Sequence, residues 1–149
     1  MRTIDKIIIH ATASREGVEQ TVEQIRSIHI KERKFTDIGY HYVIYLDGQI
    51  VEGRPVERIG AHCTGQNSTS VGIAYVGGTD SKGKAKDTRT EAQKESLKWI
   101  VSEMIESFNI KEIKGHRDYS PDLDNDGTIE RNEWIKMCPC FEVSEEFKV

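Results

Sequence analysis

Apolar positions along this chain follow two periods. Lys6 to His10, with its run Ile7-Ile8-Ile9, and Val71 to Val76 are short apolar stretches that predict buried strands. His41 to Tyr45 and Gln49 to Glu52 flank Asp47-Gly48, and Asp-Gly between two strand-like runs predicts a β-hairpin. Val18, Val22, Ile25 and Ile28 recur at spacings of three and four, which predicts a helix over Val18 to Glu32. Thr21, with Gln24 three residues on, offers that helix a capping box. Thr90-Glu91-Ala92-Gln93 is a second capping box. It opens a helix to about Phe108, whose stripe is Leu97, Ile100, Val101, Met104, Ile105 and Phe108. Asp80 to Thr88 reads as a polar surface loop and Ile110 to Ile113 as a last short strand. The order β-α-β-β-β-α-β predicts an α/β fold: a single domain with a central mixed β-sheet flanked by helices.

Size and charge narrow the function. With 149 residues and no internal repeat or linker, the chain suits one domain with a real core. No apolar run approaches the roughly 20 residues needed to span a bilayer. The formal net charge is -4, and Asp122 to Glu133 alone, with five acids and one arginine, sums to -4. The remainder is about neutral, so there is no basic face for a nucleic acid. Met1 to Lys6 leads straight into the first strand and shows no signal peptide. Delivery by another system is expected if the target lies outside the cytoplasm. A monomer is expected.

Three cysteines, Cys63, Cys138 and Cys140, are too few and odd in number for a disulfide framework. Metal ligation or burial explains them better, and a Cys63–Cys140 bridge stays open. His10 ends the first strand, Gly115-His116-Arg117-Asp118 follows the last, and Lys136-Met137-Cys138-Pro139-Cys140-Phe141 lies some twenty residues on. Two imidazoles and one thiolate make a three-ligand zinc site with a fourth position for water, the arrangement of catalytic zinc. Each residue also has a plainer reading: His10 as a strand-end side chain, His116 as a loop residue bonded to Asp118, Lys136 as a surface charge, Tyr40 as core. Lys136, Cys138 and Cys140 alternate, so in an extended segment they face one way. The spacing nominates both cysteines.

A second metal signal is independent. Asp122 to Glu133 fits the twelve-residue calcium-loop pattern: Asp122, Asp124 and Asp126 at positions 1, 3 and 5, Gly127 at the sharp turn, the Thr128 carbonyl at 7 and Glu133 at 12. Clustered carboxylates repel one another unless a cation sits between them. Tyr119-Ser120-Pro121 is a poor entering helix, so a paired EF-hand is not expected. A bound calcium ion would stiffen the link between His116 and Cys138. The plainer reading is a solvated acidic turn.

Five segments occur in order: IIIHATA, DIGYHYVIYLDGQIVEGRP, IGAHCTGQNSTSVGIAYVGG, GHRD and KMCPCFEV. Together, from His10 to Phe141, they resemble the zinc-dependent N-acetylmuramoyl-L-alanine amidases of the bacteriophage-lysozyme-like branch. These share a fold with animal peptidoglycan recognition proteins. The resemblance implies zinc ligands His10, His116 and Cys138, with Cys138 preferred over Cys140. It implies catalytic roles for Tyr40 and Lys136, and a substrate groove lined by His41, His62 and Asn67. A related cytoplasmic branch that recycles wall fragments has an Asp in place of Cys138. The implied substrate is bacterial peptidoglycan, cleaved between N-acetylmuramic acid and L-alanine. Zinc would supply hydroxide, Lys136 would stabilise the oxyanion, and Tyr40 would hold water or relay a proton. The loop at Asp80 to Thr88 and the acidic insert depart from the simplest members and leave the shape of the groove open. Two other classes stand beside this one: a non-catalytic peptidoglycan-binding module of the same fold, and a calcium-regulated interaction protein with a structural zinc.

Overall fold

A computed structural model describes Met1 to Val149. In chain order the elements are β1 (Lys6–Ala11), β2 (Ser14–Arg15), α1 (Val22–Glu32), β3 (Tyr42–Ile44), β4 (Ile50–Glu52), β5 (Ser70–Tyr75), β6 (Gly78–Thr79), α2 (Glu91–Ser107), β7 (Glu112–Gly115) and α3 (Val143–Glu146). Five strands form one sheet in the order β4-β3-β5-β1-β7. β5 is the middle strand, β1 lies between β5 and β7 and is parallel to both, β3 is parallel to β5, and only the β3–β4 hairpin is antiparallel. This is the mixed sheet that the element order implied. β2 and β6 make a separate two-stranded ribbon.

The strands sort their side chains by parity, as a pleated sheet must. Ile7, Ile9 and Ala11 of β1 join Val71, Ile73 and Tyr75 of β5 in the main core, against Leu97, Ile100, Val101 and Met104 of α2 and Val143 and Phe147 at the C-terminus. A smaller core gathers Val22 and Ile25 of α1 with Ile38, Val43 and Val76. His10 has the opposite parity to Ile9, so its ring leaves the main core.

Both capping boxes form. Thr21 accepts from Gln24 N and Thr90 from Gln93 N, and each glutamine reaches back to the threonine N–H. The first box fixes the start of α1 at Val22, so the helix is shorter than the stretch from Val18 implied. Val18 lies outside it, 54% exposed, and the buried face is Val22, Ile25 and His29 rather than the full apolar series. On α2, Ile105 is more exposed than the stripe implied. The last strand runs later than Ile110–Ile113 suggests, ending at Gly115, which delivers His116 directly to the edge of the sheet.

Candidate metal centre and cleft

β1 and β7 pair with Ile9 opposite Gly115, so His10 and His116 emerge side by side at the carboxyl ends of two parallel strands. Ligands of open α/β sheets collect at this edge. The two rings lie 4.7 Å apart between centroids. The third donor returns from the C-terminal segment, where Arg117 N–H donates to the Cys138 carbonyl at 2.9 Å. A Cβ on Gly115 would lie 2.6 Å from Cδ of Pro139, so glycine is what lets the cysteine segment lie against the end of β7. One donor atom each from His10, His116 and Cys138 falls within 4.8 Å of the others. Tetrahedral zinc with nitrogen and sulfur ligands needs donor separations of about 3.3–3.6 Å, given ligand distances of about 2.0–2.3 Å. Two imidazole nitrogens and one thiol suit zinc, and their convergence within 4.8 Å leaves only a small adjustment to reach those separations. Cys140 is not in the cluster: its backbone turns to φ 71° and its thiol points at Gly78 O, 3.4 Å away. All three cysteines are free, so there is no Cys63–Cys140 bridge.

Burial keeps the two imidazoles neutral, the state a cation needs, and works against the thiolate. His10 is 1% exposed, and burial, reinforced by His62, His116 and Lys136, holds its pKa well below that of free imidazole. Burial and the nearby Lys136 and Arg33 bring His116 down to about 4. Both rings are neutral at pH 7. Burial pushes the Cys138 thiol up to about 12, despite a hydrogen bond from Ala11 N–H at 3.1 Å. Metal binding there would release its proton.

The three donors open into a cavity of about 300 Å³ that is also lined by Tyr40, His62, Arg33 and Lys136. The Tyr40 ring packs at a tilt 5.2 Å from His10 and edge-on 5.4 Å from His29, and burial raises its hydroxyl pKa, so it stays protonated. A shallower groove continues past Arg33, His62, Asn67, His116 and Lys136. Neither hollow has a carboxylate in its lining, although the chain is net acidic. Arg33 was missed by the sequence reading. It is merely the residue that ends α1, and no motif or period marks it.

The residues expected in the groove separate. Asn67 lines it, but its side-chain oxygen is spent on the N–H groups of His62 and Cys63, at 3.0 and 2.9 Å. His62 lines both hollows yet is largely buried beside His10. His41 is elsewhere: it is 0% exposed, and its Nδ1 accepts from Gly72 N at 3.0 Å while its Nε2 donates to Arg58 O at 2.8 Å. With both ring nitrogens spent inside the protein, it ties β3 to β5 and has nothing to offer a ligand. Asp118, a possible partner for the His116 ring, instead accepts from Gly115 N at 2.9 Å.

Carboxylate oxygens of Asp122, Asp124, Asp126 and Glu133 also converge within 4.8 Å of one another. Glu133 is 3% exposed, and Oδ1 of Asp122 is buried with no hydrogen-bond partner. Gly127 makes the sharp turn at φ 84°, a conformation natural to glycine. Short 3₁₀ turns, His116–Tyr119 and Arg131–Glu133, stand where an EF-hand has helices.

Comparison with known proteins gives this geometry its context. The family model described as N-acetylmuramoyl-L-alanine amidase matches residues 1–130. The endolysin of Klebsiella phage KP32 is 33% identical over 138 residues, covering 93% of this chain and 82% of its own. The endolysin of Escherichia phage T7 is 31% identical over 139 residues, with coverage of 93% and 82%. Among solved structures, the N-acetylmuramoyl-L-alanine amidase LysC from Clostridium intestinale superposes with a TM-score of 0.70 at 28% identity, covering 93% of this chain and 77% of that one. Bumblebee PGRP-SA shares the fold, with a TM-score of 0.73 at 23% identity and coverage of 97% and 80%. The chain belongs to the N-acetylmuramoyl-L-alanine amidase family.

Proposed function

We propose that this protein is a zinc-dependent amidase that cleaves the bond between the lactyl carbonyl of N-acetylmuramic acid and the amino group of L-alanine in bacterial peptidoglycan. The observation that carries this reading is the convergence of His10, His116 and Cys138 on the floor of a cleft that also holds Tyr40 and Lys136. His10, His116 and Cys138 would hold the ion. When bound, zinc supplies Lewis acidity, polarising the scissile carbonyl and lowering the pKa of water to about 7.

The protein's own groups do the rest. The Lys136 ammonium stabilises the negative charge that develops on the carbonyl oxygen. The Tyr40 hydroxyl, kept protonated by burial, holds water in place and offers a proton toward the departing alanine nitrogen. Arg33 and Lys136, in a cleft without carboxylates, suit the acidic peptides of the wall. Asn67 shapes the groove from the His62 turn. The substrate lies outside the cytoplasmic membrane, and no helix here is long and apolar enough to cross one. Delivery by a separate system belongs to the same reading.

The loop formed by Asp122, Asp124, Asp126, the Thr128 carbonyl and Glu133 would take calcium in a structural role, bracing the segment between His116 and Cys138. Its support is the ligand pattern together with the convergent oxygens.

Mass spectrometry of products from purified peptidoglycan tests the main reading. Peptides with a free N-terminal L-alanine are expected. Binding to the wall without release of such peptides would favour the non-catalytic module instead.

A further inference from the structure

His62 is better placed to organise the metal centre than to touch substrate. Its Nδ1 lies 2.9 Å from Nε2 of His10, with the two rings edge to face at 4.9 Å and 88°. Its Nε2 lies 3.2 Å from Oγ of Ser70, and that hydroxyl lies 2.8 Å from the carbonyl of Gln66. The fold is built around the ring. A Cβ on Gly72, in the middle of β5, would come within 2.5 Å of the His62 Cγ, and one on Gly60 within 2.9 Å of its Cδ2. Glycine inside a strand weakens it, and often marks close approach of another group. Here that group is the His62 ring.

The directions of these hydrogen bonds follow from counting protons. Ser70 has one hydroxyl hydrogen, and the Gln66 carbonyl, which can only accept, takes it. The serine oxygen must then accept from His62 Nε2–H. A neutral His62 with its proton on Nε2 has a bare lone pair on Nδ1, so His10 must donate to it from its own Nε2–H. His10 is left with one lone pair, on Nδ1. If the chain ran the other way, His62 would donate to His10 Nε2 and occupy the lone pair there. His10 Nδ1 would then carry the ring proton, and His10 could hold no cation.

We propose that His62 is a positioning residue: with Ser70 and the Gln66 carbonyl it fixes His10 as the Nε2–H tautomer, leaving the Nδ1 lone pair free to hold a zinc ion. The proposal rests on the zinc-amidase reading and assigns His62 a task that the family resemblance did not. A ligand imidazole commonly gives its second N–H to an oxygen acceptor, and loss of that partner typically weakens metal affinity about 10–100-fold. Here a second imidazole is the acceptor, its own orientation fixed in turn by a serine.

The test has two readouts besides hydrolysis. Long-range nitrogen–proton NMR of histidine-labelled, metal-free protein at pH 7 should show both His10 and His62 protonated at Nε2. A proton on Nδ1 of either ring overturns the proposal, whatever happens to any variant. Zinc affinity is then measured by chelator competition. His62→Ala should bind zinc about 10–100-fold more weakly than wild type. His62→Gln, whose amide oxygen can still accept from His10, should recover part of that loss. If His62→Ala keeps its melting temperature and binds zinc as tightly as wild type, the proposal fails while the amidase reading stands. If wild type binds no zinc, the amidase reading itself fails.

Discussion

Arg117 N–H donates to the Cys138 carbonyl at 2.9 Å, joining two turns twenty-one residues apart in sequence. Around this bond the end of β7 and the C-terminal segment meet closely enough to bring His116 and Cys138 into one donor cluster. The acidic insert between them loops outward, so its length does not disturb the meeting.

Gly115→Ala should damage that meeting point. The added methyl would lie 2.6 Å from the Pro139 ring, which is rigid, and 3.1 Å from a buried Val143 methyl. Overpacking of this kind costs about 1–3 kcal/mol. Urea unfolding of the metal-free protein should show a loss in that range, with weaker zinc binding. Unchanged stability and affinity would mean that the segments are not in close contact.

Lys136→Met and Tyr40→Phe separate chemistry from metal binding. Neither side chain belongs to the donor cluster, so zinc content should stay at the wild-type level. Hydrolysis should fall about 10²–10³-fold for the lysine variant and about 10²–10⁴-fold for the tyrosine variant. Retained rates would return Lys136 to the surface charges and Tyr40 to the core.

His29 gives a pH dependence away from the metal donors. Its Nδ1 accepts from Gly39 N at 2.8 Å, which requires that nitrogen to be unprotonated. Burial, with Arg33 and Arg54 nearby, lowers its pKa from 6.5 to about 4. As pH falls through 6.5 the unfolded chain takes up a proton that the folded ring refuses until about pH 4. Between those values the unfolded state binds more protons, so stability falls with pH, and the loss levels off below about 4. His41 and His116, also near 4, add slopes of the same sign. In His29→Gln the slope of unfolding free energy between pH 6.5 and 4 should shrink by about one proton's contribution. An unaltered slope would rule out a buried neutral His29.

Calcium should raise the melting temperature of the zinc-loaded protein, and Asp124→Asn with Glu133→Gln should abolish the increase. Without a cation the carboxylates crowd: hydrogen bonding with Asp126, and the charges of Asp126 and Asp124, push the Glu130 pKa up to about 7. Differential scanning calorimetry with and without calcium decides. An equal melting temperature in both would leave a solvated acidic turn.

Much of the fold was legible because its signals are local. Two capping boxes, an Asp-Gly hairpin and three apolar strand runs gave every major element, and the β-α-β-β-β-α-β order fixed a mixed sheet. The two histidines were legible as residue types at strand ends and the thiol as one of two in the Lys136 to Phe141 segment, and the choice of Cys138 over Cys140 came only from resemblance. Geometry now separates them, through the positive φ that turns Cys140 aside. What stayed hidden depends on three-dimensional contact. The start of α1 was blurred because Val18 continues the apolar period beyond the cap. His41 and His62 sit in matching motifs, yet nothing in the spacing says that one ring is sealed between β5 and Arg58 while the other backs His10. Gly72 gives a faint clue, since a glycine within an apolar strand asks what is lying on it.

The most direct measurement strips the purified protein of metal, confirms that it remains folded, and follows release of N-terminal L-alanine from peptidoglycan as zinc is returned. Activity should be absent in the stripped protein and rise to a plateau at about one zinc per chain, the number that a three-ligand site with one open position holds. Cys138→Ala should not recover under the same titration. Full activity of the stripped protein, or full recovery in Cys138→Ala, would contradict a catalytic ion held by His10, His116 and Cys138.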